Sequence, residues 1–146
     1  VLHILECDHC TIGIEDNKPD AIIAMNKAIQ KQNNDQIEVT VIPTLYPSGG
    51  EKQLIKVLTN KEVPSRGIPA DIGLVCLNVG TCHAIFQAIH QDQPLISRIV
   101  TITGKGCNTP GNYEVLIGTP IEDFITEAGG MTQQAERIIV GGPMMG

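Results

Sequence analysis

The apolar and polar residues in the first third of the chain fall into blocks typical of a parallel βαβ unit. A short apolar run at 10–15 (CTIGIE) predicts a buried strand, and the run at 37–43 (IEVTVIP) predicts a second one. Between them, apolar positions recur every three to four residues from Ala21 to Ile29, as on one face of a helix. Because a strand, a crossover helix and a second strand make parallel sheet, residues 10–43 predict one βαβ unit.

Polar residues and a proline mark the ends of the predicted crossover helix. We expect Asn17 to cap it, Pro19 to lie in its first turn, and Asp20 to face the positive end of its dipole. The polar run 30–36 ends the helical pattern. Leu2, Ile4 and Leu5 are expected to form the last turn of a helix that begins upstream.

A second set of elements follows the second strand. Residues 51–58 carry apolar residues at helical spacing and predict a helix. Residues 59–70 hold two prolines and a glycine, and they predict an irregular excursion at the edge of the sheet. The continuous apolar run 71–79 (DIGLVCLNV) predicts a third parallel strand covered on both faces. The helix expected after it carries four apolar residues on one face: Ala84, Ile85, Ala88 and Ile89.

The pattern changes after Pro94. Residues 96–103 (ISRIVTIT) alternate, residues 104–111 carry turn-forming glycines and a proline, and residues 113–117 predict a second strand. This arrangement is typical of an antiparallel hairpin.

A short helix and one more strand are predicted after the hairpin. Thr119 and Glu122 have the spacing of a capping box, with Pro120 expected at the first helical position, and the helix should run to Ala128. The apolar run 137–140 (RIIV) predicts a further strand. Two strands, a helix and a strand within about 50 residues are expected of a small α+β module of the β-grasp kind.

The predicted fold class is therefore α/β, in which a parallel-sheet, Rossmann-like layer is followed by a small α+β β-grasp domain. We place the two domains at 1–94 and 95–146. The chain begins at Val1, already inside an apolar run, and stops at a glycine-rich segment without a closing element. We therefore expect an internal piece of a longer polypeptide.

Composition narrows the classes of function. A net charge of −6, a pI near 5.1 and the lack of a basic cluster argue against a nucleic-acid partner. No apolar run has the length of a membrane span, so any membrane association is expected to come through a partner. Five cysteines without a disulfide spacing favour a reducing compartment.

The segment 46–55 (YPSGGEKQLI) carries the main candidate chemistry. It leaves a predicted strand, passes a glycine pair and enters a predicted helix. Backbone N–H groups at such a helix start can bind a phosphate or cofactor, and glycine permits close approach of a ligand. In open α/β sheets, ligands bind at the carboxyl ends of the strands. The alternative is an ordinary turn whose glycines serve the backbone alone.

Two polar residues stand at or just beyond predicted strand ends. Glu51 could accept hydrogen bonds from a heterocycle or a sugar hydroxyl, and so could Asn78. In the alternative interpretation, Glu51 only complements the helix dipole and Asn78 only caps a helix.

Other candidate groups favour structural roles. Cys7 and Cys10 could form half of a metal site, but the chain has no second CxxC pair, and Cys10 begins an apolar strand. His83 and His90 lie seven residues apart without a carboxylate partner, so we expect packing or surface roles. The motifs of the common hydrolases and kinases do not occur.

Four spaced motifs together resemble one known family. They are Gly13-Ile14-Glu15-Asp16-Asn17-Lys18-Pro19, then Tyr46 to Ile55, then Asn78-Val79-Gly80-Thr81, and finally Gly141-Gly142-Pro143-Met144-Met145-Gly146. In this order they resemble RnfC, also called RsxC, a subunit of the ion-translocating electron transport complex. The chain is more distantly similar to the NADH-oxidising flavoprotein subunit of respiratory complex I.

The resemblance implies a fold, cofactors and partners. It implies that 1–94 form the C-terminal half of a flavin- and NADH-binding α/β domain, and that 95–146 form a soluble-ligand-binding β-grasp (SLBB) domain. Electrons would pass from NADH through FMN to 4Fe–4S clusters, whose ligands would lie outside this chain. The parent would be a peripheral subunit on the cytoplasmic side of the bacterial inner membrane, held there by the other subunits of the complex.

The resemblance also implies cofactor-binding residues. In the complex I relative, a Tyr-x-x-Gly-Glu-Glu-Thr loop and an Asn-Asn-Val-Glu-Thr turn contact FMN. This chain departs from them with Gly50, Lys52, Leu77 and Gly80. The residues implied to bind FMN are Tyr46, Gly49, Gly50, Glu51, Asn78 and Thr81. No catalytic or metal-binding residue is implied within the chain.

A different class of function stays open. The chain could be a non-redox scaffold that binds a partner subunit or a small soluble ligand through its β-grasp part. The glycine loop would then be structural.

Overall fold

The computed structural model of the chain describes residues 1–142. The chain forms two compact units, of which the first spans Val1–Asn78 and the second begins at Val79. Each unit is mixed α/β, as predicted from the alternation of apolar patterns.

The first unit is built on a parallel pair of strands. Its elements are α1 (Leu2–Leu5), β1 (Cys10–Glu15), α2 (Pro19–Gln32), β2 (Ile37–Ile42), α3 (Glu51–Thr59) and a 3₁₀ helix at Pro69–Ile72. The pairing runs in parallel register from Cys10 opposite Ile37 to Glu15 opposite Ile42. The predicted βαβ unit is therefore confirmed.

Helices α2 and α3 pack on β2 and β1, respectively. Gly13 of β1 lies directly under α3, because a methyl group added to it would come within 3.0 Å of Leu54 Cδ1 and 3.3 Å of Leu58 Cδ1. Ile42 and Ile55, at the end of β2 and in α3, are the buried apolar residues of this unit. The absence of a side chain at residue 13 thus sets how closely α3 approaches the sheet.

The predicted cap of α2 is wrong by one residue. Lys18 occupies the N-cap position and makes no side-chain cap bond, whereas Pro19 begins the helix as predicted. The side chain of Asn17 instead accepts a hydrogen bond from Lys18 Nζ at 3.1 Å. The lysine ammonium therefore takes the acceptor that would have capped the helix.

The third parallel strand predicted at 71–79 does not form. Residues 71–72 belong to the 3₁₀ helix, Gly73 follows it with a positive φ of 71°, and residues 74–78 lie in no strand of the described chain. Local hydrogen bonds shape this turn: the Ile68 N–H donates to Asp71 Oδ2 at 2.9 Å, and the Leu74 N–H donates to the Pro69 carbonyl at 3.1 Å. The apolar run predicted a strand, but these bonds commit its first residues to a turn.

The second unit contains the predicted hairpin. Its elements are α4 (Val79–His90), β3 (Ser97–Ile102), β4 (Gly111–Leu116) and α5 (Ile121–Glu127). The strands pair antiparallel from Ser97 opposite Leu116 to Ile102 opposite Gly111. Phe124 of α5 meets the ring of Tyr113 edge-on, with 5.7 Å between centroids. This contact packs α5 against β4.

The predicted capping box of α5 is also wrong. Pro120 occupies the N-cap position, and no side chain caps the helix. The Thr119 N–H donates to the Leu116 carbonyl at 3.1 Å, after Gly118 with a positive φ of 97°. Because Thr119 closes the turn that leaves β4, it lies one residue before the position that a capping residue requires.

The strand predicted at 137–140 is absent as well. These residues lie outside any strand, and Val140 is 66% exposed. The segment at 131–132 instead lies beside the hairpin turn. There the Thr132 N–H donates to the Gly106 carbonyl at 3.0 Å, and Cys107 and Met131 form an isolated antiparallel β-bridge. The last four residues of the glycine-rich motif 141–146 lie outside the described part of the chain.

Candidate functional site

The carboxyl ends of β1 and β2 meet at one edge of the parallel pair, where the sequence places the glycine loop. Asp16 follows β1 directly, and Thr44 lies two residues beyond β2. Asp16 Oδ1 accepts hydrogen bonds from the Thr44 N–H at 3.1 Å and from the Thr44 hydroxyl at 2.6 Å. These bonds stabilise the ionised carboxylate and lower the pKa of Asp16, and the bond from the Thr44 hydroxyl is the largest cause.

Short turns shape the segment between Thr44 and α3. The Ser48 N–H donates to the Leu45 carbonyl at 2.6 Å, and the Gly50 N–H donates to the Pro47 carbonyl at 2.8 Å. The Tyr46–Pro47 peptide bond is cis. Tyr46 itself is 58% exposed, so its ring is accessible at the loop surface.

The two glycines of this loop have different surroundings. A methyl group on Gly49 would meet no heavy atom within 4 Å among the described residues. A methyl group on Gly50 would lie 3.2 Å from the Pro47 carbonyl oxygen and 2.7 Å from Gln53 Oε1. A side chain at Gly50 would therefore crowd the turn, whereas one at Gly49 would stand in open space beside the loop.

Helix α3 begins immediately after this loop. Gly50 occupies its N-cap position with extended backbone angles, and no side chain caps the helix. Glu51 is the first helical residue and is exposed. The start of α3 thus combines the positive end of a helix dipole with an accessible carboxylate.

The segment 74–78 lies close enough to Glu51 to feel its charge. The pKa of the Cys76 thiol is raised, first by burial and then by the negative charge of Glu51. Asn78, at the end of this segment, is exposed and takes part in contacts of its own. The first unit therefore brings Cys76, two residues before Asn78, within electrostatic range of Glu51.

Thr81 belongs to the second unit, in the first turn of α4. Its Oγ1 accepts a long hydrogen bond of 3.5 Å from Arg98 Nη2. Its predicted place beside the glycine loop stays a prediction.

Lys52 is a residue whose role the sequence did not reveal. Its ammonium donates to the Gly67 carbonyl at 2.8 Å and to the Pro64 carbonyl at 3.4 Å. It therefore ties the start of α3 to the turn that precedes the 3₁₀ helix. A lysine one residue after an acidic helix start offers no sequence signal for this contact.

Near the candidate metal ligands Cys7 and Cys10, side chains of β1 and the residue before it contact β2. His9 Nε2 lies 3.3 Å from Glu38 Oε1, and the Thr11 hydroxyl donates to the same oxygen at 3.0 Å. These contacts, the Thr11 bond first, lower the pKa of Glu38. Across residues 1–142 no group of three or more His, Cys, Asp or Glu side chains is placed to hold a metal ion.

The histidines of α4 lie on the helix surface. His90 packs beside Phe86 with 4.9 Å between ring centroids, and His83 is exposed. None of the helices within residues 1–142 is long and apolar enough to cross a bilayer.

Comparison with protein families assigns both parts of the chain. Residues 1–87 match the family of the Nuo51 FMN-binding domain, and residues 99–146 match the SLBB domain family. The predicted order, an α/β domain followed by an SLBB-type β-grasp domain, agrees with these two matches.

Comparison with known proteins finds RnfC relatives along the whole chain. The RnfC protein of the ion-translocating oxidoreductase complex of Vibrio cholerae is 52% identical over 147 residues, covering 100% of this chain and 19% of the relative. The corresponding protein of Pseudomonas aeruginosa is 46% identical, with 100% and 18% covered. Its counterpart in the proton-translocating ferredoxin:NAD(+) oxidoreductase complex of Clostridium ljungdahlii is 49% identical, with 100% and 31% covered.

These relatives confirm the resemblance to RnfC that the four motifs indicated. The chain spans between about a fifth and a third of the length of the relatives named above.

Proposed function

We propose a function from one premise: this chain belongs to the family of the Nuo51 FMN-binding domain, which it matches over residues 1–87. On that premise, residues 46–51 form part of an FMN site at the carboxyl end of β2. Tyr46, Gly49, Gly50 and Glu51 contribute to it from the loop, and Asn78 contributes from the end of the same unit. A contribution of Thr81, which the RnfC resemblance implies, stays a prediction.

The surroundings of Gly49 carry this proposal. The open space beside Gly49 leaves room for a ligand against the backbone, and α3 presents an uncapped helix start next to it. A flavin mononucleotide bears a phosphate, which favours the positive end of a helix dipole, and ribityl hydroxyls, which can donate to a carboxylate. The residues present therefore fit part of an FMN site.

The protein residues bind and orient the cofactor. Bound FMN would supply the redox chemistry, since it can accept two electrons and release them singly. Glu51 would accept hydrogen bonds from the cofactor, and the loop backbone would lie along it. No residue of this chain needs to move a proton or form a covalent bond in this role.

The RnfC resemblance extends the proposal to the parent protein. We propose that it transfers electrons from NADH or an equivalent donor through FMN to 4Fe–4S clusters, and that the complex couples this transfer to ion translocation. The support is 52% identity across the chain to a protein named for an ion-translocating oxidoreductase complex. The cluster ligands would lie in other parts of the parent.

The same resemblance supports a proposal about partners and location. The parent would assemble with the other subunits of a membrane-bound complex. We propose that it lies peripherally on the cytoplasmic side of the bacterial inner membrane and is attached through those subunits.

The test is FMN titration of the full-length subunit, followed by quenching of flavin fluorescence. The Glu51→Ala variant should bind FMN roughly tenfold more weakly, because it loses a hydrogen bond to a charged acceptor. The matched control is Glu62→Ala, which removes an exposed carboxylate beyond the other end of α3, where it pairs with Lys56 at 3.1 Å. Equal FMN affinity in the two variants would contradict the role of Glu51.

A scaffold function has separate support in the second unit. A cleft of about 260 Å³ lies between β4 and α5, lined in part by Tyr113, Leu116 and Phe124. A small soluble ligand could bind there without any redox role. The full-length subunit would then show no FMN binding in the titration.

A further inference from the structure

The hydrogen bonds of the glycine loop distinguish its anchor from its internal turns. Within residues 1–142, the hydrogen bonds recorded for 44–50 stay between residues 43 and 54, apart from the two that Thr44 donates to Asp16. The internal bonds fix the shape of the loop. The two bonds to Asp16 fix where the loop lies relative to β1.

The sheet places Asp16 for this contact. Glu15 and Ile42 are the last register pair of the two parallel strands, and the Asp16 N–H donates to the Ile42 carbonyl at 2.9 Å. The Asp16 main chain is therefore held at the end of β2. Its side chain can then reach past Pro43 to Thr44.

The nearby lysine does not pair with the Asp16 carboxylate, which accepts hydrogen bonds from Thr44. Lys18, the nearest cation in sequence, bonds to Glu15 Oε2 and to Asn17 Oδ1. A single oxygen of Asp16 accepts both the N–H and the hydroxyl of Thr44. A carboxylate that accepts two hydrogen bonds from one residue restricts that residue more than either bond alone.

We propose that Asp16 is a positioning residue for FMN binding, which it supports by holding Thr44, and with it the loop 44–50, against the end of β1. This inference rests on the proposed FMN site. Asp16 does not touch the cofactor in this role. It lowers the freedom of the loop that must be ordered when FMN binds, and preorganised loops bind more tightly because less ordering is required on binding.

The test compares variants of the full-length subunit by FMN titration and by the visible circular dichroism of bound flavin. Asp16→Ala removes both bonds and should weaken FMN binding roughly tenfold. Asp16→Asn retains an oxygen acceptor and should stay within about threefold of wild type. Thr44→Val loses only the hydroxyl bond and should fall between these two variants.

Glu15→Ala is the matched control, since it removes a carboxylate at the adjacent position that pairs with Lys18 and not with the loop. Its FMN affinity should equal that of wild type. In a double-mutant cycle, Thr44→Val should add little to Asp16→Ala, because the shared bond is already lost.

The outcomes separate the two proposals. Wild-type protein that binds no FMN would overturn both the FMN site and the role of Asp16. Wild-type protein that binds FMN, together with Asp16→Ala and Glu15→Ala variants of equal affinity, would overturn the role of Asp16 alone. Additive effects of Thr44→Val and Asp16→Ala would also overturn it. The milder Thr44→Val variant tests the proposal even if Asp16→Ala does not fold, because wild-type FMN affinity in Thr44→Val would overturn the role of this contact.

Discussion

At the scale of single residues, the two glycines of the loop differ in the space beside them. Gly50 lies beside the Pro47 carbonyl, whereas Gly49 has open space where a side chain would stand. The sequence alone treats both glycines alike. Substitution of each glycine therefore separates an effect on FMN binding from an effect on the stability of the turn.

We expect Gly49→Ala to lower FMN affinity roughly tenfold in the full-length subunit, because its methyl group would occupy the space proposed for the cofactor. Its melting temperature without FMN should stay near that of wild type, since no described atom opposes the added methyl group. Isothermal titration and thermal unfolding measure the two effects separately.

Gly50→Ala is the comparison variant, and it should lower the free energy of unfolding by about 1 kcal/mol, because its methyl group crowds the Pro47 carbonyl. The Gly49 assignment would fail if Gly49→Ala bound FMN as tightly as wild type. It would also fail if both variants lost equal amounts of stability.

At the scale of elements, the packing of α3 on β1 depends on Gly13. The open backbone at this residue allows Leu54 and Leu58 to approach the strand. Glu51 of the proposed site is the first residue of α3. The packing of α3 on β1 therefore positions Glu51 in addition to burying apolar side chains. Lys52 holds the same end of α3 to the turn at 64–67.

We expect Gly13→Ala to destabilise the full-length subunit by about 1 kcal/mol, because the added methyl group would lie 3.0 Å from Leu54 Cδ1. In a Leu54→Ala background the same substitution should be neutral or slightly stabilising, since alanine is favoured over glycine in a strand by roughly 0.5–1 kcal/mol. Denaturant unfolding of the four proteins gives the coupling energy. A cost of Gly13→Ala that is unchanged by Leu54→Ala would show that the two residues do not compete for the same space.

At the scale of the whole molecule, the chain contains two compact units with different proposed roles. The parallel pair and its loop belong to the first unit, and the antiparallel hairpin belongs to the second. The family match at 1–87 contains the parallel pair of strands, and the match at 99–146 contains most of the antiparallel hairpin. We therefore expect FMN to change amide hydrogen exchange near the parallel pair and not in the hairpin.

We expect FMN to slow amide hydrogen exchange of the full-length subunit at 44–51 and 76–78, the segments of the first unit that hold proposed site residues, because binding orders them. Exchange in the hairpin strands at 97–102 and 111–116 should stay unchanged. Mass spectrometry of protein with and without FMN provides the comparison. Protection confined to the hairpin would move the ligand site to the second unit.

The sequence by itself determined the elements whose signals are local. Strand β1 was predicted at its observed bounds, and the βαβ unit, the hairpin and the helix that follows the glycine loop also formed as predicted. Period-two and period-3.6 patterns record which face of each element is covered, and this information lies within a few adjacent residues. The motifs that indicate RnfC are likewise contiguous.

Only the tertiary structure decided which apolar runs found a strand partner and which polar groups met. The runs at 71–79 and 137–140 look like strands, yet a strand needs hydrogen bonds from a neighbour, which hydrophobicity does not supply. The contact of Asp16 with Thr44 joins residues 28 positions apart, and the field of Glu51 at Cys76 spans 25 positions. Such contacts depend on how parallel strand ends align, so no local pattern could encode them.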